Sequence, residues 1–301
     1  MTHAWPDWLW IVFTLLAAGG QTLRNAMQRG LTETLGTGGA THVRFLFGLP
    51  FALLFLAATS LIVGIGPMRW SLVFLAWLLM GALTQILATA WMLAAMRSRS
   101  FVVTIACIKT EPVQVAVFGA VFLGDRIGWL GSVAVVVATL GVLLMSWPRG
   151  AVGEKLDWRP VWLGVAAGGM FALSSVGYRG AILALADGPF YVRATVTLAC
   201  GLALQAALLS GWLRVRQPGV LSDIFRAWRP SLLAGFLGAA ASQFWFLAFA
   251  IESVARVRTL ALVEVFMAQL LSRKLFAQRS SWLEVAGIWL IVIGVAVLLG
   301  S

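Results

Sequence analysis

Two carboxylates stand in the middle of long apolar runs. Glu111 lies in FVVTIACIKTEPVQVAVFGAVFLGD and Glu264 in RVRTLALVEVFMAQLLSRKLFAQ. A charged side chain near the centre of a bilayer is costly, and such groups line substrate or ion pathways. A carboxyl group there can take up and release a proton as access alternates between the two faces, or bind the cationic part of a substrate. The competing reading is a structural ion pair, Glu111 with Lys109 or an arginine and Glu264 with Arg258. The two glutamates are 153 residues apart, about half the chain. The same offset pairs Arg126 with Arg279, Trp129-Leu130 with Trp282-Leu283, and Gly141 with Gly294. This is an internal duplication, and it points to one central site built by both halves.

Other polar residues sit in the same kind of surroundings. Lys109 and Gln114 share the run with Glu111. At helical spacing Glu111 and Gln114 are about 60° apart and can line one cavity, whereas Lys109 points about 200° away. Pro112 removes a backbone donor and frees the carbonyl of Ile108, which offers a hinge and a carbonyl ligand or is simply a kink. Arg44 and Arg193 lie near the entrances of their runs. Either could recognise a carboxylate or phosphate, and snorkelling to the headgroups explains them equally well. Arg24 and Arg179 lie deeper. Gln21, Asn25, Tyr178, Gln85 and Gln243 add uncharged hydrogen-bonding groups. Trp91, Phe244 and Trp245 can form an aromatic wall for a ligand or pack against helices and lipid. Arginines suit an anion and glutamates a cation, so the two sets together fit a zwitterion.

The elements that position these residues follow from composition. The chain has 301 residues, 61% hydrophobic and 11% charged, with mean hydropathy +0.94. A soluble domain carries about 25% charged residues. Apolar runs of the ~20 residues that a membrane helix needs follow one another with short connections. The expectation is an all-α, multi-pass membrane protein embedded in a lipid bilayer, because no period-two alternation marks a barrel. A net charge of +11 could suggest nucleic acid, but there is no soluble basic domain to dock on a duplex. Cys107 and Cys200 fall inside apolar runs as small hydrophobes, with no disulfide or metal spacing. No cofactor is expected. Met1 to Asp7 holds no Lys or Arg, so the first run reads as a retained span and not a signal peptide.

Ten spans are predicted, over 8–28, 43–63, 71–96, 101–123, 128–147, 161–185, 190–212, 231–250, 255–276 and 282–300. The Pro-, Gly- and charge-rich stretch 149–160 divides a first repeat, 1–148, from a second, 161–301. Residues 214–230 hold a short amphipathic piece at the interface. Five spans per half mean that the halves enter the membrane in opposite directions, the inverted arrangement of many secondary transporters. Thirteen basic residues fall in loops after odd-numbered spans and three, Arg69, Arg126 and Arg256, on the other face. The positive-inside rule then puts both termini outside.

The runs RFLFGLPFALLFL (44–56), EPVQVAVFGAVFLGDRIGWLGSVAVVVATLGVLL (111–144) and WLEVAGIWLIVIGVAVLL (282–299) resemble the drug/metabolite transporter superfamily, specifically the EamA-type permeases with two five-helix domains. The resemblance covers essentially the whole chain. It implies ten helices in two inverted repeats, export of a small metabolite, and a place in a bacterial inner membrane. Family members often carry Gly-Glu after the fourth helix of each repeat, where this chain reads Gly124-Asp125 and Ala277-Gln278. They are often drawn with both termini in the cytoplasm, opposite to the charge count.

The function expected is a secondary transporter of a small polar, zwitterionic or amphipathic metabolite such as an amino acid, working by alternating access, with proton coupling through Glu111 or Glu264 and simple facilitated exchange both open. A multidrug or a vitamin or cofactor permease of the same fold is the alternative. A membrane-embedded enzyme fits less well, because His3 and His42 are the only histidines and lie far apart. The protein is expected to act as a monomer or homodimer. No GxxxxGK[ST] phosphate loop is present, so ATP does not drive it directly.

Overall fold

The computed structural model describes residues 5–6, 8–66, 68–96, 108–126, 128–145, 158–185, 187–263 and 282–300. Among them the chain is all helical, with no strand. The helices are α1 (Leu9–Leu46), α2 (Gly48–Val63), α3 (Leu72–Met96), α4 (Glu111–Leu123), α5 (Trp129–Met145), α6 (Trp158–Ala184), α7 (Phe190–Arg216), α8 (Val220–Arg226), α9 (Trp228–Ile251), α10 (Val254–Leu260) and α11 (Trp282–Leu299). The short α8 falls within the interfacial piece expected at 214–230. Glu264, Ala277-Gln278 and most of the linker 149–160 lie outside the described residues.

Four stretches are long and apolar enough to cross a membrane: Gly30–Val63, Leu72–Ala95, Phe190–Arg216 and Trp228–Ile251. Glu111–Leu123, Trp129–Leu144 and Val285–Leu299 are shorter apolar helices. In an apolar solvent a backbone must satisfy its own N–H and C=O groups, which favours helix for such runs. Large apolar side chains stand exposed along them, among them Leu61 at 87% and Leu72 at 85%. Apolar surface on this scale suits lipid better than water.

The first long helix is really two. Gly36 has φ 65° and ψ 178°, a conformation that glycine alone takes without strain. Gln28 Nε2 donates to the carbonyl of Ala40 at 2.9 Å, although twelve residues of straight helix would span roughly 18 Å. The chain therefore doubles back at Gly36. Sequence placed a connection over 29–42, and the structure shortens it to this single turn. Residues 37–46 then run on through Phe47 into α2.

Contacts divide the chain into two compact units. The first comprises residues 1–86 and 177–252, the second 87–176 and 253–301. Each unit thus takes segments from both halves of the sequence. In the first, α1 packs along α9, and α7 packs against α2 and α9. Small residues allow the close approach: a Cβ on Gly20 would stand 3.3 Å from that of Ala241, and one on Gly235 only 2.5 Å from the Phe47 backbone. Within the same unit α3 meets α6 at Gly81 and Gly177, where a Cβ on Gly177 would lie 2.7 Å from the Gly81 nitrogen.

In the second unit α5 packs along α11, and α10 lies against α4 and α5. Ala138, Val142, Leu262 and Ile291 form its apolar core. The α5–α11 seam is reciprocal. A Cβ on Gly141 would meet Gly287 O at 2.7 Å and Ile291 N at 2.8 Å; one on Gly294 would meet Ala138 N at 2.7 Å and Ala134 O at 2.8 Å. Gly287, Ile291 and Gly294 each stand 153 residues beyond Ala134, Ala138 and Gly141. The offset read from the sequence is therefore also an offset of contacts.

Candidate functional site

The second unit holds a charge cluster at a helix start. Lys109 and Thr110 form a turn, and α4 begins at Glu111. Pro112 follows in the first turn, where its missing N–H has no helical partner to lose. The run expected as one span over 101–123 is thus interrupted at 109–110, and Pro112 marks a helix start where a kink in a continuous helix was one expectation. A carboxylate in a first turn also faces the favourable end of the helix dipole.

Glu111 is paired. Its Oε1 lies 3.1 Å from Arg258 Nε, with the two side chains 13% and 9% exposed. The hydroxyl of Ser175, on α6, accepts from Arg258 Nε at 3.1 Å and Nη2 at 2.8 Å, and donates to Phe171 O at 2.9 Å. One donor and two acceptors are all that a hydroxyl offers, so Ser175 is fully engaged in fixing the guanidinium. Arg258 lies on α10, which ends at Leu260 and gives way to a turn at Ala261 and Leu262. That turn falls 152 residues after the one before Glu111. The turns of the two halves thus fall within one residue of corresponding points, and both halves contribute to the cluster.

Gln114 bonds within its own turn and across to α6. Its Nε2 donates to Thr110 Oγ1 at 3.0 Å and to Val165 O at 3.4 Å. Its amide presses on α6, where a Cβ on Gly169 would stand 2.6 Å from Gln114 Oε1. Lys109 is partly buried in the turn beside Glu111, and Trp91 is partly buried on the part of α3 that belongs to this unit.

The remaining sequence candidates lie in the first unit. Arg24 and Arg44 are both buried and flank Gly238, where a Cβ would stand 3.4 Å from Arg24 Cδ and 3.2 Å from Arg44 Cγ. Arg24 Nη2 donates to Asn25 Oδ1 at 2.7 Å and Arg44 Nη2 to Ser242 Oγ at 3.5 Å. Arg193 is half-buried at the start of α7. Arg179 donates to the carbonyls of Phe249 and Glu252 and so ties down the end of α9, where last-turn carbonyls lack helical partners. Tyr178 Oη donates to Gln85 Oε1 at 3.3 Å, and Gln205 Nε2 reaches the same oxygen at 2.9 Å and Ala82 O at 3.2 Å. Gly81 and Gly201 press on the Tyr178 ring.

The aromatic residues pack among themselves. Trp245 Nε1 donates to Gln21 Oε1 at 3.1 Å while its ring stacks on Phe249, and Phe244 stacks on Phe13. Gln243 donates to Thr195 Oγ1 at 2.8 Å. Sequence reasoning missed Ser175, Gln205 and Ser242, since one hydroxyl or amide in an apolar helix gives no signal until its neighbour is known. It named Arg258, but as a partner for Glu264.

No family model and no curated protein matches the chain. Among solved structures 27 chains match. One, described only as the crystal structure of a protein, aligns with a TM-score of 0.66 at 17% identity over 96% of this chain and 98% of its own. At that identity the likeness is one of fold.

Proposed function

We propose that this protein is a secondary transporter that moves a small zwitterionic or amphipathic metabolite, such as an amino acid, across a membrane by alternating access. The observation that carries the reading is the Glu111–Arg258 pair, 3.1 Å apart and largely buried, at a helix break on apolar helices. Ionisable groups in such surroundings mark substrate and proton pathways, and interrupted helices form the binding sites of many transporters. A zwitterion can replace each partner with the other's chemistry. Its carboxylate takes the guanidinium of Arg258, its ammonium takes Glu111, and no buried charge is stranded. Protonation of Glu111 would also release Arg258, which gives a route to proton coupling.

The same reading takes the chain as ten membrane helices in two inverted five-helix repeats. The reciprocal glycine contacts of α5 and α11 support it, as do the paired helix breaks and the two units that each draw on both halves. It agrees with the resemblance to EamA-type permeases, from which export and a bacterial inner membrane follow as parts of the proposal.

The test is a metabolite panel screened by thermal shift on the purified protein, with hits taken into proteoliposomes for counterflow. Glu111→Gln keeps the size of the side chain but cannot release a proton. It should abolish concentrative, pH-gradient-driven uptake, and counterflow should persist only at higher substrate concentration, because the substrate ammonium loses its carboxylate partner. Normal accumulation by E111Q would remove Glu111 from the coupling step.

A further inference from the structure

The first unit carries an open cleft of about 680 Å³ between the segment after α2 and the segment leading into α7. That is within the ~300–1,000 Å³ of small-molecule sites. Val63, Met68, Pro189 and Val192 give it an apolar lining, and Arg69 and Asp187 give it two charges of opposite sign. Arg69 Nε lies 3.0 Å from Asp187 Oδ2, with the side chains 85% and 47% exposed. An ion pair so open to its surroundings is only weakly held, so a ligand carrying both signs can displace each partner. Gly64 at φ 79° and Gly188 at φ 101° turn the chain on either side of the cleft, at angles that strain a side-chain-bearing residue.

The surroundings say what kind of zwitterion fits. Leu61 and Ile62, at the end of α2, are 87% and 81% exposed, and Leu72 at the start of α3 is 85% exposed. Trp70 is exposed between the cleft and α3, and exposed Trp5 meets the edge of Phe190 at 5.7 Å. Tryptophans at the ends of apolar helices collect at headgroup level. The charge pair therefore stands where headgroups lie, with bare apolar helix ends beside it.

We propose that this cleft binds the headgroup of an aminophospholipid, with its phosphate on Arg69, its ammonium on Asp187 and its acyl chains along the exposed ends of α2 and α3. A guanidinium matches phosphate oxygens bidentately. A primary ammonium donates hydrogen bonds to a carboxylate, which a trimethylammonium cannot do. The site needs the helices to lie in a bilayer, and it stands whether or not the protein transports anything.

Native mass spectrometry of the purified full chain tests it, with phosphatidylethanolamine and phosphatidylcholine of identical acyl chains added in turn. Retention of the ethanolamine lipid should exceed that of the choline lipid by about tenfold, the scale of one charge-assisted hydrogen bond. R69A and D187A alter exposed side chains, so they should fold as the parent does and lose the preference. Equal retention of the two lipids, or an undiminished preference in R69A and D187A, overturns the site. A thermal-shift titration with soluble O-phosphoethanolamine separates the sources. Weak or no response is expected for a site that also holds the acyl chains, whereas binding as tight as that of the lipid would make the ligand a free zwitterion and overturn the lipid assignment.

Discussion

Around Tyr178 in the first unit, neutral polar groups bond one another: a tyrosine hydroxyl and one glutamine amide donate to the oxygen of a second glutamine, and glycines press on the ring. Around Glu111 in the second, a carboxylate and a guanidinium meet where a helix begins. Both arrangements sit on apolar helices, and both link segments from the two halves of the sequence. They differ in what a ligand could do to them. Opening the amide network exchanges hydrogen bonds worth ~1 kcal/mol each and attracts nothing charged. Opening the ion pair creates two charges that only a complementary ligand or a proton can balance. Polar residues in apolar helices are therefore not equivalent clues: saturated neutral groups fasten helices, and charge pairs at helix ends can work.

The sharpest way to break this contrast is Arg258→Met. It removes the guanidinium from Glu111, leaving Lys109 beside it, and should destabilise the protein by up to ~3–5 kcal/mol, while the double variant E111L/R258M should recover most of that. Unfolding in detergent, followed by a denaturant titration of each single and the double variant, gives the coupling; additive losses would mean that the pair is not a unit. In the first unit the corresponding lever is steric. Gly177→Ala puts a Cβ 2.7 Å from the Gly81 nitrogen and should cost ~1–3 kcal/mol by overpacking. Gly19→Ala, with nothing within 4 Å of the new Cβ, should gain up to ~1 kcal/mol. Equal effects of the two alanines in a thermal melt would remove the close crossing.

Two smaller changes probe the network itself. Gln205→Leu leaves Gln85 and the Ala82 carbonyl short of a donor and should cost ~1–3 kcal/mol. Its counterflow selectivity among anionic, cationic and zwitterionic metabolites should match the parent, whereas a lysine at position 258 should shift it. A change in charge selectivity from Q205L would erase the distinction between the two regions. Tyr178→Phe removes a single 3.3 Å hydrogen bond and should lower stability by only ~0.5–1.5 kcal/mol, read from the same melts.

Much of the fold was legible because apolar runs of membrane length leave few alternatives. The long helices α3, α7 and α9 fall within a few residues of the spans read at 71–96, 190–212 and 231–250, and the repeat offset reappears in the α5–α11 contacts. The connection over 29–42 was misjudged in length. Its Gly-Thr-Gly-Gly run reads as loop, yet only Gly36 leaves helical geometry, since the flanking residues find partners across the turn. In the site, Glu111 stood out as an isolated charge. Its partner did not, because Arg258 comes from the other half of the sequence and ordering along the chain says nothing of that approach. Arg179 is legible in the sequence as basic and deep; its bonds to helix-end carbonyls are not, because that demand is visible only once the end of α9 is located.

The seam between α5 and α11 carries a consequence for ancestry. If the halves descend from one shorter chain, Gly141 and Gly294 were once the same codon, and the seam on which both lie was the isologous interface of a homodimer. A substitution in that ancestor would have struck both sides of the seam at once. After fusion each side answers for itself, so the two can drift apart. Ala134 and Gly287, which occupy corresponding places and no longer match, are what such drift leaves behind.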